Sequence, residues 1–447
     1  AQSEIIFEHN TVQTTASGET SPVLRAPASL QKILLTSTAL EKFGVGYQFA
    51  TEVRRSGDDV CLVGHGDPSL STQTIRSMAR SVRESGLHAI EGDLILDESM
   101  FPGERPYSED FEADFEKPHA GFIGALSLNE NRVSFSAKPG RSIGAPANIE
   151  VYPELHGLRF TNRAKTVKSL RSRNVGFDLS SVGEDYRFVA SGSIGMNQTK
   201  GVWSRRNVDD PAQFTGRAFL AAYLSPEEGL PASSFSGRIL RRTKKAELLQ
   251  CEPENSSLVH VQRSVRLGDV LRYMNQESVN FVAEMIMMAM ADRYPCNDRN
   301  QEICDWLYYR AGIENDEYYP FNSSGLYREK VIDAWTLQRS MLTAKRLYGA
   351  DFVENLGRPG EGDEGWLRKF FQKSDVQLRK EQRVFAKTGS IRRVANLAGF
   401  AFEDGKNPFV FVFFFDDDPN LPRRSLKGGL SAQEAMEKVI LRVFASR

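Results

Sequence analysis

Pro27-Ala28-Ser29-Leu30-Gln31-Lys32 opens a run that continues through Ile33-Leu34-Leu35-Thr36-Ser37-Thr38-Ala39-Leu40-Glu41-Lys42-Phe43 and stops at Gly44. A proline ahead of the first turn and a glycine after the last predict a helix over Ser29–Phe43. Leu30, Ile33, Leu34, Ser37, Ala39 and Leu40 give it a broad face to bury. Ser29 and Lys32 are three positions apart, so they share one side of that helix and the amine can approach the hydroxyl. A serine hydroxyl becomes a nucleophile when a base takes its proton, and a partly desolvated lysine can be that base. Placement at a helix start also favours a developing oxyanion. A lone S-x-x-K occurs by chance on many solvated helices. Here no other lysine has a serine three residues before it.

Two further tripeptides carry chemistry. Lys387-Thr388-Gly389 lies in an apolar stretch, Arg383 to Ile391, that reads as a strand. A cation and a hydroxyl on a strand edge can hold a carboxylate, while glycine lets an extended peptide approach the backbone. The plain alternative is a solvated edge with a bulge. Ser278-Val279-Asn280 lies on or beside a helix and offers a hydroxyl to pass a proton and an amide to hold a peptide carbonyl. That pattern also occurs at Ser127-Leu128-Asn129 and Ser172-Arg173-Asn174. Ser278 is preferred because helical pattern flanks it and it falls between the other two motifs.

Around these motifs the chain changes character twice. After the first helix, short strand-like runs recur at Leu94–Leu96, Arg132–Ser136, Ile149–Tyr152, Tyr186–Ser191 and Phe219–Tyr223, followed by a helix over Ser236–Leu249. From about residue 255 the pattern is helical again, with two helices in Val265–Asp292 and one in Val331–Leu347. The end reads as a strand meander, Arg383–Ile391, Val394–Glu403 and Phe409–Phe415, then a final amphipathic helix from Glu434. The expected fold class is α/β (α+β): residues 1–52 and 255–447 form one domain, split by a β-rich inserted region at 53–254 that holds one or two nested subdomains.

The bulk properties fit a soluble globular chain of 447 residues, 40% hydrophobic and 26% charged, long enough for more than one domain. A net charge of −1 points to neither nucleic acid nor an anionic membrane as partner. The longest apolar run, Pro408 to Phe415, is far short of the ~20 residues that cross a bilayer. The first residues, Ala1-Gln2-Ser3-Glu4, fit what remains after a secretory signal is removed, and equally a trimmed chain. Of the four cysteines, Cys61, Cys251, Cys296 and Cys304, none forms a CxxC pair or a metal-ligand spacing. Cys296 and Cys304 either close a short loop in an oxidising compartment or stay as thiols. His65, Asp416 to Asp418 and the acidic run Glu109 to Glu116 read best as turn or solvated residues. No metal or cofactor is expected.

S-x-x-K, S-x-N and K-T-G in this order resemble the signature of penicillin-binding proteins and serine β-lactamases. Further segments narrow the resemblance: Gly66-Asp67-Pro68-Ser69-Leu70, Ala125-Leu126-Ser127-Leu128-Asn129-Glu130-Asn131, Ser323-Ser324-Gly325-Leu326, Lys387-Thr388-Gly389-Ser390 and Asn396-Leu397-Ala398-Gly399-Phe400. With these the chain is similar to the D-alanyl-D-alanine carboxypeptidase/endopeptidase family, the class C low-molecular-mass penicillin-binding proteins. That resemblance implies a transpeptidase/β-lactamase-like catalytic domain carrying a large insertion. It implies Ser29 as nucleophile, Lys32 as base, Ser278 as proton relay and Asn280 as substrate positioner. Lys387 and Thr388 would bind the terminal carboxylate beside Gly389, with the N–H groups of Ser29 and Ser390 as oxyanion hole. Peptidoglycan peptides would be the substrate and β-lactam antibiotics covalent inhibitors, in an extracytoplasmic or periplasmic location. Departures are Val279, where the family commonly has Asp, Asn322-Ser323-Ser324-Gly325-Leu326 for its Asp-Gly-Ser-Gly-Leu, and a loose glycine-rich loop at 357–365. A serine β-lactamase shares the motifs, but the insertion is unlike one and no E-x-x-L-N segment occurs. A non-catalytic wall-binding protein is the other alternative.

Overall fold

The computed structural model describes residues 2–8, 24–101, 105–106, 122–169, 171–182, 185–244, 247–290, 301–314, 322–363, 366–373, 377–391, 394–416 and 432–446. The chain folds as two compact units, one made of 1–47 with 266–447, the other of 48–265. The edges expected at 52/53 and 254/255 fall inside the second unit, because Ala50–Ser56 and Ser257–Arg263 pair there as antiparallel strands.

The first unit is built on a four-stranded antiparallel sheet, in the order Gln2–Glu8, Phe409–Asp416, Val394–Glu403, Gln382–Ile391. The Phe409–Asp416 strand is interior and buried on both faces, which is why its sequence is apolar without alternation. One face, Phe409, Phe411 and Phe413, meets Met436, Ile440 and Phe444 of the Ala432–Ala445 helix, residues spaced four apart on one stripe. Burying each such side chain is worth roughly 1.5–3 kcal/mol. The Ala334–Tyr348 helix also packs against this strand. Its N-terminus is capped by Asp333, whose side chain accepts from Thr336 N–H.

The Gln31–Phe43 helix follows a short 3-10 turn at Ala28–Leu30 and is buried from Gln31 to Leu40. It contacts the helices Leu267–Glu277, Asn280–Met290, Gln301–Tyr309 and Ala334–Tyr348. Along the buried stretch from Gln31 to Leu40 the side chains must satisfy their hydroxyls internally. Thr36, Ser37 and Thr38 do so by donating to the carbonyls of Lys32, Ile33 and Leu34 at 2.7, 3.1 and 3.0 Å. Gly44, at φ 74°, ends the helix as expected.

The second unit holds a five-stranded mixed sheet, in the order Ile239–Arg242, Leu94–Asp97, Asp59–Gly64, Ala50–Ser56, Ser257–Arg263. The helices Thr72–Glu84 and Pro211–Leu224 pack on each other. A second β layer centres on Arg132–Lys138, flanked by Asn148–Tyr152 and Val202–Asn207. A third centres on Asp185–Gly195. Phe135 stacks on Phe188 and Phe177, at 4.3 and 5.1 Å, within one continuous core that also contains strand and helix residues of the first layer.

Two sequence expectations fail here. Phe219–Tyr223 is not a strand but the end of the Pro211–Leu224 helix, started by the Asp210 cap and Pro211, a signal upstream of the window read. Ser236–Leu249 is not a helix. Its helix-favouring Leu, Arg and Lys residues are overridden where Ile239–Arg242 pairs in parallel with Leu94–Asp97. A disulfide that the sequence reading missed joins Cys61 to Cys251, 190 positions apart with Cα atoms 5.7 Å from each other. Cys296 and the acidic residues from Glu109 to Glu116 lie outside the described residues. Among the described residues no helix is long and apolar enough to cross a membrane.

Candidate active site

The first unit gathers the sequence-expected residues into two hydrogen-bonded groups. Lys32 joins Ser29 and Asn280, and Lys387 joins Ser278 and the Thr388 carbonyl. The charge of Lys32 acts on Lys387. Ser29 is half-buried at the junction of the 3-10 turn and the long helix. Its position is set by close backbone approaches. Ala28 sits at φ 47°, and a Cβ on Gly325 (φ 79°) would lie 1.9 Å from the Ala28 carbonyl oxygen. A Cβ on Gly389 would lie 2.7 Å from the Pro27 carbonyl oxygen. Both positions therefore need glycine. Asn396, buried on the neighbouring strand, donates to the carbonyls of Ala26 and Pro27 at 2.9 and 3.1 Å and accepts from Phe415 N–H at 3.2 Å. One amide thus locks the segment before Ser29 onto the sheet.

Lys32 is fully buried. Its Nζ is 2.8 Å from Asn280 Oδ1, 2.7 Å from the Ser324 carbonyl and 3.0 Å from Ser29 Oγ. The first two partners are oxygens that only accept, so they take two of the amine's hydrogens. In the neutral amine the lone pair then faces the serine hydroxyl. Burial lowers the Lys32 amine from 10.5 to about 7, with the charge of Glu284 opposing that fall.

Ser278 and Asn280 flank a break between helices. Ser278 caps the Leu267–Glu277 helix in the left-handed region (φ 60°), and Asn280 begins the next. Val279, the departure from the family pattern, uses its N–H to close the first helix on Met274 O at 3.1 Å. Lys387 is also fully buried, and its Nζ donates to Ser278 Oγ at 2.8 Å and to the Thr388 carbonyl at 2.9 Å. Burial first, and then the charge of Lys32, hold the Lys387 amine well below its ordinary value. Thr388 is buried and Ser390 exposed on the same strand, which forms the outer edge of the sheet. That edge is bridged by Gly357 at Ala386.

Three features were not assigned from sequence. Asn322 Oδ1 accepts from Ser324 Oγ, Gly325 N–H and Leu326 N–H at 3.0, 2.8 and 3.0 Å, so it shapes the turn that the family fills with Asp. Glu284, four residues after Asn280, accepts from the N–H of Ser324 at 2.8 Å. Gln276 and Glu277 hold the 357–363 loop through bonds with Arg358, Glu361 and Asp363. The helical spacing from Asn280 was the one available signal for Glu284.

The chain is similar in sequence and in fold to known proteins. A D-alanyl-D-alanine carboxypeptidase from Actinomadura sp. (strain R39) is 30% identical over 213 residues, a match that spans 43% of this chain and 38% of that relative's length. The D-alanyl-D-alanine carboxypeptidase DacB of Haemophilus influenzae is 23% identical over 409 residues, 87% of this chain and 80% of the relative. The crystal structure of penicillin binding protein 4 (dacB) from that organism superposes with a TM-score of 0.70 at 18% identity, covering 99% of this chain and 96% of the other. A predatory peptidoglycan endopeptidase from Bdellovibrio bacteriovorus gives 0.55 at 13%, covering 99% and 92%. These likenesses show a shared penicillin-recognising fold. The D-Ala-D-Ala carboxypeptidase 3 (S13) family profile matches residues 5–435, and the chain belongs to that family of serine peptidases.

Proposed function

We propose that the chain is a serine D,D-peptidase acting on peptidoglycan stem peptides, as a D-Ala-D-Ala carboxypeptidase, a D-Ala–diaminopimelate endopeptidase, or both. The observation that carries this reading is the buried Lys32 amine, held by two acceptors with its third direction on Ser29 Oγ. Lys32 takes the Ser29 proton as Oγ attacks the scissile carbonyl. The N–H groups of Ser29 and Ser390 hold the oxyanion. Ser278 passes a proton to the leaving amine, and Asn280 orients the peptide. Lys387 and Thr388 bind the terminal carboxylate, beside the close approach that Gly389 permits. Water then hydrolyses the acyl-enzyme. β-Lactams acylate the same serine and inhibit. An extracytoplasmic location is supported by the Cys61–Cys251 disulfide, since such bonds persist in oxidising compartments.

The test is intact-protein mass spectrometry with benzylpenicillin, followed by peptide mapping. A long-lived adduct on the Ser29 peptide, absent in Ser29→Ala, is expected. A rapidly lost adduct with drug turnover would favour a β-lactamase. No adduct together with no cleavage of a D-Ala-D-Ala peptide would leave a non-catalytic wall-binding protein.

A further inference from the structure

Glu284 lies one turn beyond Asn280 on the Asn280–Met290 helix, which packs on the Gln31–Phe43 helix. Its carboxylate is buried, 3% exposed, and accepts the N–H of Ser324 at 2.8 Å and that of Ser323 at 3.4 Å. The Ser324 carbonyl in turn accepts from Lys32 Nζ at 2.7 Å. One helix therefore grips the amine twice, directly through Asn280 and indirectly through the turn that Glu284 holds. Burying a carboxylate costs several kcal/mol unless its charge is used, and a neutral side chain could hold two N–H groups. No step of the proposed reaction places Glu284 on the substrate.

We propose that Glu284 is a positioning residue for the base, fixing the Ser323–Ser324 turn that aims Lys32 at Ser29 and supplying that amine's counter-charge. This rests on the reading of Ser29 and Lys32 given above. The electrostatics agree with the geometry. Burial drives the Lys32 amine down, and Glu284 is the group that opposes it. Burial pushes the Glu284 carboxyl up, against the hydrogen bonds from Ser324 and the charge of Lys32. Among the described residues, the other titratable groups tied to the pair are Lys387 on the edge strand, whose amine is lowered by burial and by the charge of Lys32, and Tyr327, raised by burial and by the charges of Glu329, Glu284 and Cys304.

The experiment compares the full chain with Glu284→Gln and Glu284→Asp. Benzylpenicillin acylation of Ser29 is followed by mass from about pH 5 to 9, with thermal melts alongside. In the glutamine variant Lys32 loses its counter-charge and sheds its proton more readily. The acid limb is then expected about one pH unit lower. The aspartate variant keeps the charge on a shorter arm, so its limb stays in place while the plateau rate falls about ten- to hundredfold. A limb that does not move in a folded glutamine variant overturns the proposal, since a filler role would shift only the melt. If that variant does not fold, the aspartate variant decides: a wild-type plateau overturns the proposal. Wild-type protein that forms no Ser29 adduct at any pH would instead overturn the underlying assignment of nucleophile and base.

Discussion

Both compact units bury charged side chains, and they treat them differently. In the 48–265 unit, Glu98 accepts Arg241 Nε at 2.8 Å and Leu126 N–H at 3.4 Å. Arg83 lies 3.8 Å from the Glu227 carboxylate and donates to the carbonyls of Ser225 and Pro231, both at 2.9 Å. These groups join one segment of the unit to another. In the unit that carries the cluster, Lys32 and Lys387 end on neutral oxygens, and burial lowers both amines. A buried ion pair fixes a fold, and losing one member strands the other. A buried amine whose hydrogen bonds end on neutral oxygens, with its counter-charge at one remove, stays close to giving up its proton, which is a property suited to chemistry.

The comparison can be broken most sharply at Lys32. Lys32→Met should slow benzylpenicillin acylation by about a thousandfold, the range of a lost general base, with a smaller drop in melting temperature than Arg241→Met, because Lys32 hydrogen-bonds to neutral oxygens and not to a carboxylate. A drop as large as that of Arg241→Met would place Lys32 among the structural charges. Arg241→Met should do the reverse: above about pH 7, where its carboxyl is ionised, Glu98 is left as a buried charge without its arginine, costing about 3–5 kcal/mol in denaturant titration, while the folded fraction acylates normally. A loss below about 1 kcal/mol would mean that this ion pair does not hold its unit together.

Replacing Cys61 and Cys251 by alanine should cost the same unit about 2–4 kcal/mol in denaturant titration and again spare acylation of the folded fraction. The smallest effect is a pair of opposite pH slopes. Burial raises Glu98 from 4.5 to about 7, so the folded chain keeps a proton that the unfolded chain sheds across that window. Stability therefore falls as pH rises from 4.5 to 7, and Glu284, also raised by burial, adds to the fall. Lys32 goes from 10.5 to about 7, so the unfolded chain keeps the extra proton and stability rises with pH between those values. Melting temperature against pH should flatten on the acid side in Glu98→Gln and on the alkaline side in Lys32→Met. Curves parallel to wild type would remove the distinction.

Legibility in the sequence followed the range of the interactions. The Ser29 helix, the Ser278 break and the final meander are set by local spacing and by glycine and proline stops. Their bounds in the structure, Gln31–Phe43 after the 3-10 turn and Val394–Glu403, lie close to those read from sequence. The Ser236–Leu249 stretch was misread because its partner strand lies far upstream. The Cys61–Cys251 bond was invisible for the same reason, since proximity in sequence drew attention to Cys296 and Cys304 instead. Asn322 and Glu284 act on backbone N–H groups, and any residue has those, so no motif marks such a partner. The gathering of Ser29, Lys32, Ser278, Asn280 and Lys387 was anticipated only through the order of three short motifs, because the contacts that assemble them are tertiary.

The lock between Asn396 and Ala26 joins positions 370 apart, and the sheet beside it needs the Phe409–Asp416 strand to be complete. The 48–265 unit has all of its strands and its disulfide long before that strand is available. Domains tend to fold as units in the order in which the chain emerges. The middle of this protein can thus be finished while the segment bearing Ser29 still waits for its partners. The nucleophile has its base beside it from the start, but acquires its strand edge and its locked backbone only when the last strands are in place, so a chain truncated before them would be stable in part and inert as a whole.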